Sequence, residues 1–288
     1  SMDEDTLFEE ALLRVQRFMS YGTGAIEIKS GYGLTPESEI KILRVIKRLK
    51  EVLPIVVKAT FLGAHAIPKH HKENRRAYID EIINVMLPVI AEENLADYID
   101  VFCERNYFTL EEMEEICLAG QKYGVKPKVH VNQFSILGGI PKAIELGAIS
   151  VDHLEELEEE DIVALKKSTT IPTLLPSCSH FINIPFANAR ALMDNDLPVA
   201  LASDFNPGTT PSGNLSFVWS LACVKMKMTT EEAFNALTVN AAAAMEISDT
   251  HGVIALGRKS PIMITKEIPS FSYIPYAFGD QLIERILY

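Results

Sequence analysis

The feature that most constrains the fold of this chain is a regular alternation between short apolar runs and longer stretches with apolar residues at helical spacing. The apolar runs are rich in β-branched and small residues, as buried strands are. Seven such runs lie at residues 24–29, 55–61, 98–104, 125–131, 148–151, 169–174 and 198–203. Strands that alternate with helices in this order predict an α/β fold, a parallel sheet with helices outside it, in the form of a TIM-like (β/α) barrel.

The count of runs also predicts what the barrel lacks. A closed parallel barrel normally has eight strands, and the first helical pattern, at residues 6–20, has no strand before it. We therefore expect the first strand to be missing. The tail is rich in Gly, Pro and aromatic residues, so we predict a barrel domain at residues 1–250 and a C-terminal β appendage, part of a small β-sandwich, at residues 251–288. A doubly wound open sheet is the alternative, but no Gly-rich dinucleotide fingerprint follows any run.

Composition excludes several classes of function. A net charge of −12 argues against nucleic-acid and anionic-membrane partners. No stretch is long and apolar enough to cross a membrane, and the four cysteines form no Cys-x-x-Cys pair, as is typical of a reducing, cytoplasmic setting. The expected partner is a small-molecule substrate, and homodimer formation is left open. The acidic run at residues 155–161 is predicted to be the solvated face of a helix.

Polar residues that can do chemistry recur at the ends of the predicted strands. They are Tyr32, His65, Glu104, His130, His153 and Asp204. In a barrel the carboxyl ends of the strands converge on one mouth, where ligands bind. One histidine is usually structural, but three from three strands, with an aspartate from a fourth, predict a shared site. Imidazole and carboxylate groups hold divalent metals that activate water, so this set predicts metal-assisted hydrolysis.

Asp204 occupies the most informative of these positions. It follows the buried run 199–203 and precedes the turn signal Asn206-Pro207-Gly208. From its position alone, a carboxylate here can bind a metal, act as a base or cap the next helix.

Four blocks of the sequence carry a more specific signal. They are Ile26–Leu34, Phe61–Ala66, Val151–Leu154 and Ala202–Gly208. Together they resemble the imidazolonepropionases, a family of the metal-dependent amidohydrolase superfamily. The resemblance implies ring-opening hydrolysis of 4-imidazolone-5-propanoate to N-formimidoyl-L-glutamate, in histidine degradation, with one divalent Zn or Fe ion.

The resemblance also implies a role for each matching residue. His130 and Asp204 would be metal ligands. The catalytic residues would be His153, which polarises the substrate carbonyl, Asp204, which also shuttles a proton, and His65. The substrate would be lined by Tyr32, His65, Gln133, Asn206, Gly208 and Thr209.

Two departures from the family pattern bear on these roles. The superfamily takes two metal ligands from a His-x-His pair, and this sequence contains none; His70-His71 are adjacent. Gln133 stands where the family has an acidic residue, so it can orient substrate but cannot act as a base. The alternatives are therefore a catalytically inactive truncated fragment, or another cyclic-amide hydrolase or deaminase of the superfamily. The Tyr32 and Asn206 blocks argue against the latter, because they are substrate-side features.

Overall fold

The structure is a computed structural model that describes residues 2–259 and 261–288. Among these residues, each of the seven predicted runs contains a strand. The strands are β1 Ala25–Lys29, β2 Val56–Ala64, β3 Tyr98–Cys103, β4 Lys126–Pro127, β5 Val129–Val131, β6 Ser150–His153, β7 Ile171–Leu174, β8 Ala200–Leu201, β9 Ile262–Thr265 and β10 Ile283–Leu287. The run 125–131 differs from its prediction, because Lys128 separates β4 from β5.

Helices follow the strands as the alternation predicts. They are α1 Glu4–Ser20, α2 Pro36–Val52, α3 Arg75–Glu81, α4 Leu87–Glu92, α5 Leu110–Gln121, α6 Gly139–Glu145, α7 Glu159–Lys166, α8 Pro176–Phe181, α9 Ala189–Met193, α10 Leu215–Met226, α11 Thr230–Leu237, α12 Val239–Ala244 and α13 Tyr273–Tyr276. A 3₁₀ turn covers Lys69–His71, and a π-helical segment, Ile82–Met86, joins α3 to α4. None of the helices in the described ranges is both long and apolar enough to cross a membrane.

Local sequence explains where these helices begin. Thr35 accepts a hydrogen bond from the backbone N–H of Ser38, and Pro36 occupies the first turn of α2, where its missing N–H costs nothing. Thr109 and Glu112 form a reciprocal capping box at the start of α5. Because each cap follows the end of a strand by a few residues, the βα loops between them are short and have defined ends.

The chain divides into two compact units, and the first comprises the described residues of Ser1–Leu13 and Ile26–Val151. Its strands lie in the order β1-β2-β3-β5, with β4 beside β3. The pairs β2–β3 and β3–β5 are parallel, and their register sets Phe102 opposite His130. Every residue of β3 is buried, as expected of a parallel strand covered on both faces. A charged residue in this strand, Asp100, must therefore have partners.

The second unit comprises the described residues of Arg14–Ala25 and Asp152–Tyr288. Its strands follow the order β6-β7-β8, and β7 and β8 pair in parallel with Leu174 opposite Leu201. The predicted β-like pieces of the tail form an antiparallel pair, β9 with β10. The domain boundary predicted between residues 250 and 251 stays a prediction.

Candidate active site

A fully buried carboxylate, Asp100, lies between a lysine and a histidine in the first unit. Its Oδ2 atom is 2.7 Å from Nδ1 of His130 and 2.8 Å from Nζ of Lys29. Its Oδ1 atom accepts the backbone N–H of His130 at 3.1 Å. Burial alone would raise the pKa of the Asp100 carboxyl, but the charges of His130 and Lys29 outweigh burial and lower that pKa. Asp100 is therefore held as a carboxylate.

The contact with Asp100 orients the ring of His130. Nδ1 faces the carboxylate, so a ligand of this imidazole would bind at Nε2. Metal-binding histidines typically donate their other ring N–H to a carboxylate, which fixes the tautomer and makes the ligating nitrogen more basic. The His130–Asp100 pair thus fits the chemistry of a metal ligand.

Charged side chains of alternating sign extend from this pair through buried and partly buried positions of the first unit. Lys29 is 3.1 Å from Oε1 of Glu27, and the buried Lys128 is 2.6 Å from Oε2 of the same carboxylate. The Thr60 hydroxyl donates to Glu27 at 2.6 Å. Each buried charge in this network has an opposite charge within hydrogen-bond reach, which offsets the cost of removing it from water.

Three of the predicted site residues are linked by successive ring contacts that pass through Phe102. The ring centroids of Tyr32 and His65 are 5.0 Å apart, and His65 stacks on Phe102 at 6.0 Å. The His130 ring meets Phe102 edge-on, also at 6.0 Å. Tyr32 is 53% exposed, so its phenol can reach a ligand from the solvent side. The first unit therefore brings Tyr32, His65 and His130 together.

Glu104, a strand-end candidate, is engaged by the backbone. Its carboxylate accepts the N–H groups of Phe134 and Ser135 at 2.9 and 3.2 Å, and it also accepts the Ser135 hydroxyl. Gln133, which precedes this contact, is buried. Glu104 thus anchors the loop after β5, and we assign it a structural role.

In the second unit, His153 lies beside the carboxylate of Glu155, a residue that the sequence pattern predicts to be exposed to solvent. Glu155 is buried, and its Oε2 atom is 3.4 Å from Nδ1 of His153 while Oε1 accepts the Ser179 hydroxyl at 2.8 Å. The prediction of a solvated helical face at 155–161 is wrong at Glu155 and at Asp161, which are both buried; α7 begins only at Glu159, and Glu155 lies in the bend before it.

Electrostatics favour the charged form of this histidine. Burial by itself lowers the pKa of the His153 imidazole, but Glu155, and after it Asp204 and Asp152, outweigh burial and raise that pKa. His153 also has a φ of 89°, in a region that side chains other than glycine rarely adopt. Backbone strain of this kind is frequent at functional sites.

Asp204, Asn206 and Thr209 form one hydrogen-bonded loop after β8. The Asn206 side-chain amide donates to the carbonyl of Asp204 at 2.7 Å and to the Thr209 hydroxyl at 2.6 Å. Thr209 in turn donates to Oδ2 of Asp204 at 3.3 Å. The backbone N–H groups of Gly208 and Thr209 both donate to Oδ1 of Asn206, at 2.9 and 2.7 Å. These amides therefore stabilise the loop itself.

Cys178 lies close to the Asp204 loop. Burial, and then the charge of Asp204, raises the pKa of its thiol to about 12. The thiol therefore stays protonated at neutral pH and acts as a neutral neighbour of the carboxylate rather than as a nucleophile.

Sequence reasoning missed Asp100 and Glu155. A signal for Asp100 was present, since it is a charged residue inside an apolar run that would be buried on both faces. Glu155 gave no signal of its own, because it opens a run of acidic residues that are ordinarily solvated.

Comparison with known sequences shows that the chain belongs to a family of hydrolases. Residues 25–278 match the model of the Amidohydrolase family. The chain is 58% identical to an imidazolonepropionase of Flavobacterium johnsoniae, over 99% of this chain and 69% of that protein. It is 42% identical to an imidazolonepropionase of Thermoanaerobacter pseudethanolicus, over 99% of this chain and 68% of that protein.

Solved structures with the same fold belong to more distant proteins. An adenosine deaminase of Xanthomonas campestris, solved with bound zinc, superposes with a TM-score of 0.75 at 12% identity, over 100% of this chain and 69% of that one. A guanine deaminase of C. acetobutylicum gives a TM-score of 0.75 at 13% identity, over 99% of this chain and 75% of that one. At these identities the likeness concerns the fold, and it confirms the prediction of an amidohydrolase-type (β/α) barrel.

Proposed function

Since this chain belongs to the amidohydrolase family and, within it, to the imidazolonepropionases, we propose that it opens the ring of 4-imidazolone-5-propanoate to give N-formimidoyl-L-glutamate in histidine degradation. The observation that carries the proposal is the 58% identity to an imidazolonepropionase over 99% of the chain. The chain is accordingly a hydrolase that acts on C–N bonds. The cysteines are free thiols, which supports a cytoplasmic setting.

We propose that His130 and Asp204 are ligands of one divalent ion, Zn or Fe. The support for His130 is its Nδ1 contact with Asp100, which is typical of metal-binding histidines. The support for Asp204 is its place just after the carboxyl end of a parallel strand. A divalent ion held by such groups lowers the pKa of water to about 7. Catalytic zinc sites usually have three protein ligands, and the sequence contains no His-x-His pair to supply more.

The proposed role of His153 is to polarise the ring carbonyl of the substrate. A protonated imidazole stabilises the negative charge that develops on the carbonyl oxygen as water adds to the carbon. Glu155 supports this role, because its carboxylate favours the imidazolium and lies beside Nδ1, so that Nε2 is the donor to substrate.

The proposed role of Asp204 is to move the proton. It accepts the proton of the attacking water and delivers it to the ring nitrogen as the C–N bond breaks, so the proton taken at the first step is returned at the second. The Asn206 amide and the Thr209 hydroxyl hold the backbone and one carboxylate oxygen of Asp204. This arrangement keeps the carboxylate in one orientation through both steps.

Substrate contacts are proposed residue by residue, from the family resemblance. Tyr32 and His65 offer a phenol and an imidazole whose rings are in contact, and His65 stacks on Phe102. Gln133 offers an amide that can hydrogen-bond but carries no charge. In the Asp204 loop, the amides of Gly208 and Thr209 donate to Asn206, so the groups left to contact substrate there are side-chain atoms and carbonyl oxygens.

The test is turnover of 4-imidazolone-5-propanoate by this chain. His130→Ala and Asp204→Ala should each abolish measurable turnover, whereas His180→Ala, which alters a histidine on α8, should retain it. Metal analysis should find about one ion per chain. Unchanged turnover in His130→Ala or Asp204→Ala would contradict the proposed roles. Absence of turnover in the wild type, together with absence of metal, would favour the inactive fragment.

A further inference from the structure

A buried carboxylate outside the proposed machinery holds the loop that carries Tyr32. Glu39 on α2 is completely buried. Its Oε2 atom accepts the backbone N–H of Gly31 at 2.8 Å, and its Oε1 atom accepts those of Gly33 and Leu34 at 2.6 and 3.0 Å. The three amides lie on either side of Tyr32, so one side chain fixes the backbone before and after it.

The loop is shaped to receive this carboxylate. Gly31 has a φ of 117°, and a Cβ atom there would lie 2.9 Å from the carbonyl oxygen of Leu62 and 3.1 Å from the His65 side chain. A Cβ atom on Gly33 would lie 2.6 Å from the backbone nitrogen of Glu39. Backbone N–H groups that converge in this way form an anion-binding concavity, and here the anion belongs to the chain itself.

The contacts of Glu39 differ from those of a helix cap. Thr35 already caps α2 by accepting the Ser38 N–H. The amides that Glu39 binds belong to the preceding βα loop, outside the helix. Charge-assisted hydrogen bonds to a carboxylate are shorter and stronger than those between neutral groups, so the loop is held more rigidly than turn geometry alone would hold it.

We propose that Glu39 is a positioning residue that holds Tyr32 in place for substrate binding by fixing the Gly31–Leu34 backbone. The inference rests on the proposed function, because it takes Tyr32 to contact the substrate. Glu39 itself is buried, and we expect it to affect the substrate only through its hydrogen bonds to the loop. Its loss should therefore weaken substrate and transition-state binding alike, which raises KM and leaves kcat nearly unchanged.

The experiment is a double-mutant cycle in the full-length enzyme with 4-imidazolone-5-propanoate as substrate. Glu39→Gln keeps the length of the side chain and replaces one acceptor oxygen with a donor. We expect it to raise KM by about tenfold with kcat within about twofold of the wild type. In a Tyr32→Ala background the same change should raise KM by less than about twofold, because the residue being positioned is gone. Glu37→Gln, on the exposed side of α2, is the matched control and should change neither constant.

The outcomes separate this inference from the proposed function. An active wild type in which Glu39→Gln raises KM equally with and without Tyr32 would overturn the positioning role alone. A wild type without turnover would overturn the proposed function, and this inference with it. Should Glu39→Gln not fold, Glu39→Asp is used in the same cycle, since it keeps the charge and shortens the reach. Failure of both variants to fold would show that Glu39 is purely structural and would overturn the proposal.

Discussion

His130 and Asp100 are joined across the neighbouring strands β5 and β3, with 2.7 Å between the imidazole Nδ1 and the carboxylate Oδ2. The backbone N–H of the same histidine binds the other carboxylate oxygen. Asp100 thus fixes both the position of the strand residue and the rotation of its ring. A metal site that uses His130 would depend on Asp100 as well.

Asp100→Asn should weaken metal binding. The amide keeps the shape of the side chain but removes the charge that fixes the imidazole tautomer and makes Nε2 basic, so affinity should fall by about 10- to 100-fold. Competition with a chromophoric chelator measures this directly. Asp249→Asn, on an exposed residue, is the control, and equal affinities in the two variants would contradict the prediction.

Glu155→Gln should lower the pKa of His153. The variant removes the leading opposing charge and leaves the effect of burial in place. NMR titration of the histidine ring signals measures the shift, and the alkaline limb of the pH–rate profile should move to lower pH with it. Glu156→Gln, on the exposed neighbour, should leave both unchanged; a His153 titration that is the same in Glu155→Gln would refute the assignment.

The free energy of unfolding should depend on pH through the His153–Glu155 pair. A group whose pKa is raised on folding stabilises the native state fully below its unfolded pKa, which is about 6.5 for histidine, and this contribution is lost as the pH rises through the folded value. The free energy of unfolding of the wild type should therefore fall as the pH rises from about 6.5 through the higher pKa of His153 in the folded state. Denaturant titrations at a series of pH values should show a smaller loss in Glu155→Gln, and identical slopes would count against the coupling.

Asn206→Ala should disorder the Asp204 loop. It removes the acceptor of two backbone N–H groups and the donor to the Asp204 carbonyl, at a cost of about 1–3 kcal/mol in the free energy of unfolding. The ratio kcat/KM should fall by about tenfold or more, because Asp204 loses its orientation. Asn195→Ala, which removes a side-chain bond to the Ala191 carbonyl, should reduce stability only. Equal kcat/KM in both variants would contradict the prediction.

Gly31→Ala should destabilise the protein more than Gly124→Ala. Both glycines have positive φ, but a Cβ atom at Gly124 meets nothing within 4 Å, whereas one at Gly31 lies 2.9 Å from the Leu62 carbonyl oxygen. Gly124→Ala should cost about 1 kcal/mol from backbone strain, and Gly31→Ala about 2 kcal/mol more from the clash. Chemical denaturation compares them, and equal costs would show that the loop relaxes freely.

Much of the fold could be predicted from the sequence, because buried strands and amphipathic helices have distinct local patterns. The places where a helix is interrupted could not be predicted in this way. Residues 75–94 have the pattern of one continuous helix, but the structure has a π-helical segment there that ends at Met86, two residues before Pro88, which has no backbone N–H. Residues 229–245 likewise have the pattern of one helix, but the structure has two helices that meet at Thr238, whose hydroxyl donates to the Phe234 carbonyl.

The candidate site was also predicted only in part. Tyr32, His65 and His130 were predicted from their places at strand ends, and the structure links them by ring contacts from Tyr32 to His65, and from His65 through Phe102 to His130. Their supporting residues were not predicted, since the partner of a buried histidine can lie anywhere in the chain. Only the paired strands β3 and β5 reveal that Asp100 meets His130.

The ion pair between Lys29 and Asp100 has a consequence for synthesis of the protein. The two residues are separated by 71 positions, so the lysine leaves the ribosome well before its counter-ion. Until then the carboxylate of this network that the ammonium group can reach is Glu27 of its own strand, so the ammonium group keeps part of its hydration. The native contacts of β1 therefore form only after β3 has been synthesised. Folding of this segment depends on contacts distant in sequence, which form more slowly than local ones.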